Sequence, residues 1–153
     1  MKQRPRGQPL FTESYVVFIE IQFQKTKNKI IGIIYRPPNN KFNKFEENLT
    51  QILECLNKEN KDVYIIGDFN LDILKINDSD YVHDFVTQMY ASSFFPLITK
   101  PTRITDKTAT LIDNIFVNNT NKFSKRGILI SDLSDHLPIF YITKQVTEAK
   151  TST

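Results

Sequence analysis

The sequence predicts a mixed α/β domain built in layers, with much antiparallel sheet. Short alternating or wholly apolar runs that read as strands outnumber the helical stretches. Several of these runs are joined by links of hairpin length, and two segments switch to the helical period. A chain of 153 residues suits one domain, and strands mixed with helices pack as layers around one core.

Residues 1–13 are basic and contain two prolines and a glycine, so they read as a flexible leader ahead of a domain spanning 14–144. Residues 15–23, YVVFIEIQF, alternate. Val17, Ile19, Ile21 and Phe23 take one face, and Glu20 and Gln22 the other. The polar stretch KTKNK leads to KIIGIIY (29–35), and the two runs read as a β-hairpin. RPPNN (36–40) is a stiff loop, because its two prolines cannot donate to a ladder.

Across residues 42–57 the period changes. Phe42, Phe45, Leu49, Ile52, Leu53 and Leu56 recur at helical spacing. Cys55 lies beside that stripe and reads as a packing residue rather than a nucleophile. A strand, DVYIIG (62–67), runs into the loop DFNLD. Residues 80–91 read as a second helix with Ser79 as N-cap and Tyr81, Val82, Phe85, Met89 and Tyr90 as its apolar positions. After a proline-punctuated loop (96–106) come the strands TLIDNIFVN (110–118), GILIS (127–131) and HLPIFYIT (136–143). The polar end, 145–153, reads as a disordered tail.

The charge balance is mildly basic, with 20 Lys and Arg against 17 Asp and Glu, a net charge of +3. That is compatible with a phosphate-rich partner, though on charge alone a plain solvated surface accounts for it more readily. One cysteine excludes an intrachain disulfide and suits a reducing compartment. One cysteine and two histidines cannot build a Cys/His zinc site, so any metal must be a hard ion on oxygen ligands. No apolar run approaches the ~20 residues of a membrane span, and the first residues show no signal-peptide core. The expectation is an intracellular protein, nuclear or cytoplasmic, with no membrane partner.

Polar residues gather at strand ends. Tyr35 closes a strand, Asp68 and Asn70 follow one, Asp113 lies inside an apolar strand, and Asp135 and His136 precede the last. If the strands share sheets, these ends converge on one rim, where loops carry chemistry on a rigid scaffold. Phosphodiester cleavage needs such a set: carboxylates to hold Mg²⁺ or orient water, an amide to hold phosphate and nucleophile, and a histidine held by a carboxylate. Asp113 is the candidate orienter of His136.

Each residue also fits a plainer role. Asp68 and Asn70 can be turn formers after Gly67, Ser134-Asp135-His136 a polar turn, and Tyr35 a rim aromatic. His83, Asp72, Asp78, Asp80 and Asp132 read as solvated. Asp113 among Leu111, Ile112 and Ile115 resists that reading, because a strand interior disfavours an unpaired carboxylate.

The ordered motifs IIGIIYRPPNN, VYIIGDFNLDI, KPTRIT, TLIDNIFV and SDLSDHLPIF resemble the endonuclease/exonuclease/phosphatase superfamily, and in wording the endonuclease domain of non-LTR retrotransposons. The resemblance covers about residues 15–143. It implies an αββα four-layer sandwich of mixed, largely antiparallel sheets with the site at one rim, and Mg²⁺ or Mn²⁺ as cofactor. It implies that Asp68 orients or deprotonates water, and that Asn70 holds nucleophile and phosphate. His136 would bind the scissile phosphate, polarised by Asp113. Asp135 would help bind the metal, and Tyr35 would support the phosphate or metal shell. The implied partners are DNA and, in a full-length element, a fused reverse transcriptase.

The family's N-terminal Asn motif and metal-binding Glu have no match here. Glu13 falls in the leader, and Glu20 on the solvent face of its strand. The expectation is therefore the C-terminal portion of the domain, weakly active or inactive alone. Other readings are a non-catalytic transposon remnant, a DNA-binding or protein-interaction fragment, and a phosphoinositide or lipid phosphodiesterase of the same superfamily.

Overall fold

The computed structural model describes residues 14–143. The expected leader (1–13) and tail (145–153) lie outside the described residues. Strands β1 (Tyr15–Ile21) and β2 (Lys29–Tyr35) form the antiparallel hairpin, with Tyr15 opposite Tyr35 and Ile21 opposite Lys29. Helix α1 (Phe42–Asn57) then crosses over to β3 (Asp62–Asp68), which pairs parallel with β2. Parallel neighbours need such a crossover, and a helix supplies it.

Helix α2 (Asp80–Ala91) leads to the short β4 (Phe95–Pro96), β5 (Arg103–Ile104) and β6 (Ala109–Thr110). β7 (Asp113–Val117) and the hairpin of β8 (Phe123–Ile128) with β9 (Ile139–Thr143) complete the chain. The main sheet has five strands in the order β1-β2-β3-β7-β4, and all its pairs are antiparallel except β2–β3.

One face of this sheet is apolar because every second residue of β2 and β3 is. Ile30, Ile34, Val63, Ile65 and Phe116 meet the α1 stripe Phe42, Phe45, Leu49, Ile52, Leu53 and Leu56 and the α2 stripe Val82, Phe85, Val86 and Met89. Gly67 sits where β3 must approach β2 closely, since a Cβ there would collide with the Ile34 carbonyl. The other face carries Ile31, Tyr64, Ile66, Ile115 and Val117 and is covered by Ile139 and Tyr141 of β9. The Tyr64 and Tyr141 rings stand 5.5 Å apart. That cover stops short of β1, so Val17 (55% exposed), Ile19 (49%) and Ile33 (49%) face solvent on the same side.

Several expectations are corrected. Asp113 is the first residue of β7, not an interior one. Leu111 and Ile112 leave the ladder to accept bonds from Ile73 and Phe69, which tie the loop after β3 to this segment. The strand expected at 127–131 lies instead at Phe123–Ile128, because Ile128 pairs with Ile139 and the ladder runs out at Pro138, which has no N–H. Cys55 is exposed and does not pack. In α2, Ser79 holds the N-cap position without a side-chain bond. Tyr81 and Tyr90 are exposed, and Val86 takes the buried place. Among the described residues, no helix is long and apolar enough to cross a membrane.

Candidate active site

Three neighbouring strands end in one polar row. Tyr35 of β2 is in register with Asp68 of β3, and Asp68 with Asp113 of β7. Directly paired residues share a face of the sheet. The row therefore opens on the face that β9 covers further along, at the uncovered end.

Asp68 begins a turn that it also closes, its Oδ1 accepting the Asn70 N–H at 3.0 Å. Asn70 sits at φ 47°, a left-handed conformation that asparagine tolerates. Its Nδ2 donates to the Arg36 carbonyl at 2.7 Å. The guanidinium of Arg36, 5% exposed, returns bonds to the carbonyls of Phe69 (3.3 Å), Asn70 (3.3 Å) and Asn40 (2.8 Å). Arg36 thus clamps the loop after β2 to the loop after β3. Burial pushes the Asp68 carboxyl above the usual aspartate value. The neighbouring Asp113 adds to the rise, while the Asn70 N–H, His136 and Arg103 oppose it.

Asp113 is held from below and from the side. Thr102, fully buried, donates its hydroxyl to Oδ2 at 2.7 Å. His136 places Nδ1 at 3.1 Å from Oδ2 and 3.3 Å from Oδ1. A carboxylate in that position favours a proton on Nδ1 and leaves Nε2 for a ligand. The segment carrying His136 is laced to β5. Leu137 N donates to Thr102 O at 2.6 Å, Ile104 N donates to Asp135 O at 2.8 Å, and Arg103 bridges to His136.

The structure brings together Asp68, Asp113 and His136, whose ligand atoms lie within 4.8 Å of one another. Asn70 adjoins them through the Asp68 turn. Tyr35 is the next residue of the row, 41% exposed and stacked on Tyr15 with ring centroids 6.1 Å apart. The Asp135 carboxylate is not part of the group. It accepts from Arg103 Nε at 2.7 Å, and that bond holds its carboxyl below the usual aspartate value. His83 lies far out on α2, exposed beside Asp84.

Two carboxylates at one rim fit a hard divalent ion, which is commonly bound through one or two carboxylates with water and substrate phosphate completing the shell. Asp68 and Asp113 are the oxygen donors present. His136 is taken up by Asp113, so its nitrogen suits a hydrogen bond better than a place in an oxygen shell.

Sequence reasoning missed the roles of Thr102, Arg103 and Arg36. Thr102 and Arg103 fall within KPTRIT, a motif visible as a pattern without its contacts. Arg36 adjoins the two prolines, and nothing local marks it as buried.

A family model described as endonuclease-reverse transcriptase matches residues 30–140. Among solved structures, the endonuclease domain of TRAS1, a telomere-specific non-LTR retrotransposon, is 15% identical. The match covers 85% of this chain and 64% of that one, with a TM-score of 0.67. The catalytic domain of Xenopus laevis APE2 is 16% identical over 86% of this chain and 55% of that one, with a TM-score of 0.63. An endonuclease/exonuclease/phosphatase family protein from Leptotrichia buccalis is 18% identical over 85% and 54%, with a TM-score of 0.57. The chain thus spans less than two thirds of each of these structures. A search of curated proteins found no match.

Proposed function

The chain belongs to the endonuclease-reverse transcriptase family of the endonuclease/exonuclease/phosphatase superfamily, and from that membership we propose a metal-dependent phosphodiesterase, a DNA endonuclease of retrotransposon type. The observation that carries the reading is the His136–Asp113 pair at 3.1 Å, with Asp68 beside Asp113 in the β3–β7 register. A base and an oriented histidine at one rim are what hydrolysis of an anionic diester requires.

Each residue has a chemical part. Asp68 orients the attacking water and accepts its proton. His136, held by Asp113, donates from Nε2 to a non-bridging phosphate oxygen. Asn70 spends one N–H on Arg36, and its other N–H and its carbonyl oxygen hold phosphate and water. Tyr35 lies beside Asp68 in register and lines the phosphate side. Asp68 and Asp113 would hold a Mg²⁺ or Mn²⁺ ion, which would supply positive charge to the phosphoryl oxygens. Cleavage leaving a 3′-hydroxyl would suit priming of a reverse transcriptase.

The finer fold we propose is the αββα sandwich, with the helix-covered five-stranded sheet as one half and the β8–β9 hairpin as part of the second sheet. The chain spans 64% of the TRAS1 domain, and among the described residues the candidate metal group contains no glutamate. The family's N-terminal Asn motif and metal-binding Glu have no match in this chain, so weak cleavage, or none, is expected from this chain alone. The net charge of +3 also suits a second reading, a chain that binds DNA without cutting it.

Conversion of supercoiled plasmid to open circle tests the proposal. The expected result is slow nicking at most, stopped by EDTA and lost in Asp68→Asn and His136→Ala. Nicking that survives both variants contradicts the assignment. Salt-dependent DNA binding with no cleavage in Mg²⁺ or Mn²⁺ favours the second reading.

A further inference from the structure

We propose that Arg103 is a substrate-contacting residue that binds a backbone phosphate of the nucleic acid beside His136, with its guanidinium oriented by Asp135. The inference rests on the nuclease reading and adds a residue to it. Arg103 and His136 are directly paired across an antiparallel bridge, so their side chains leave the same face side by side. Arg103 Nε donates to Asp135 Oδ2 at 2.7 Å, which fixes the plane of the fork. An arginine carries five N–H donors, and this bond uses one.

The Arg103 and Asp135 side chains are 44% and 43% exposed, so a ligand can reach the guanidinium. A planar, permanently charged donor at that place matches a phosphate, which arginine binds with two parallel bonds. The pairing gives Asp135 a use that does not require it to ligate metal. A carboxylate that holds Arg103 cannot turn into the Asp68–Asp113 group without releasing it.

Binding of a fluorescent DNA duplex to the full chain, measured by anisotropy across a range of salt, tests this. Arg103→Gln should flatten the slope of log affinity against log salt by about 0.9, one phosphate contact. Arg103→Lys should restore the slope, and Lys58→Gln, at the far end of α1, should leave it unchanged. Unfolding midpoints establish that each variant is folded. In the wild type, the Arg103 Nε–H resonance should shift when DNA is added, a readout that needs no variant. A wild-type slope in folded Arg103→Gln, or an unmoved resonance, overturns the Arg103 assignment and leaves the nuclease reading standing. A wild-type chain that shows no salt-dependent DNA binding overturns both.

Discussion

Thr102 and Asp113 bind each other reciprocally: the threonine hydroxyl donates to Asp113 Oδ2 at 2.7 Å, and the Asp113 N–H donates back to Thr102 Oγ1 at 3.1 Å. The pair sits under the rim, and Asp113 in turn holds His136. Thr102 is therefore the buried foundation of the histidine's orientation. Thr102→Val keeps the shape but takes one donor from the carboxylate and the acceptor from the Asp113 N–H. We predict a loss of about 1–3 kcal/mol in unfolding free energy, as for a buried partner left unsatisfied. Thr102→Ser, which retains the hydroxyl, should recover most of it in urea denaturation.

The Asp68 carboxyl should make the chain less stable as pH rises. Burial, then Asp113, holds its proton to higher pH than in the unfolded chain. Between the ordinary aspartate value and that raised value the folded state binds more protons, so stability falls as pH rises through the window. Metal-free Asp68→Asn should therefore unfold at a higher temperature than wild type at neutral pH, and lose that advantage below the window. An equal difference at every pH would contradict the assignment.

Gly67→Ala should destabilise the β2–β3 pair, since the added methyl meets backbone rather than a movable side chain. Overpacking of this kind costs about 1–3 kcal/mol. The nearby turn through Asp68 and Asn70 should shift with it, seen as altered amide resonances of Phe69 and Asn70.

The uncovered apolar face predicts self-association. Among the described residues, Val17, Ile19 and Ile33 lie together beyond the reach of β9, and β1 is an edge strand. Exposed apolar edges invite strand pairing between copies. Replacing Val17 and Ile33 with lysine should lower light scattering on concentration while leaving the unfolding midpoint nearly unchanged.

Much of the fold was legible because it rests on local periodicity. The six α1 residues spaced for burial are all buried, and β1, β2 and β3 fall where alternation and apolar runs put them. What was not legible depends on contacts between distant residues. Nothing local says that Asp135 turns to Arg103, that Arg36 is buried under Phe69 and Asn70, or that Leu111 and Ile112 leave the ladder ahead of Asp113. The alternation of β1 revealed an apolar face but not whether anything covers it. The β8 boundary was missed because Pro138, just ahead of the partner strand, sets where pairing ends.

On the proposed reading, the ends of β3 and β7, with the segment before β9, form one metal-dependent phosphodiester site. Titration of the ¹⁵N-labelled full chain with Mn²⁺ tests it most directly, because paramagnetic broadening reports where the ion sits even if cleavage is slow. Early broadening is expected to centre on Asp68, Asn70, Asp113 and His136, and to be lost in Asp68→Asn. Broadening centred on the acidic start of α2, at Asp78, Asp80 and Asp84, or unchanged at the rim in Asp68→Asn, would contradict it.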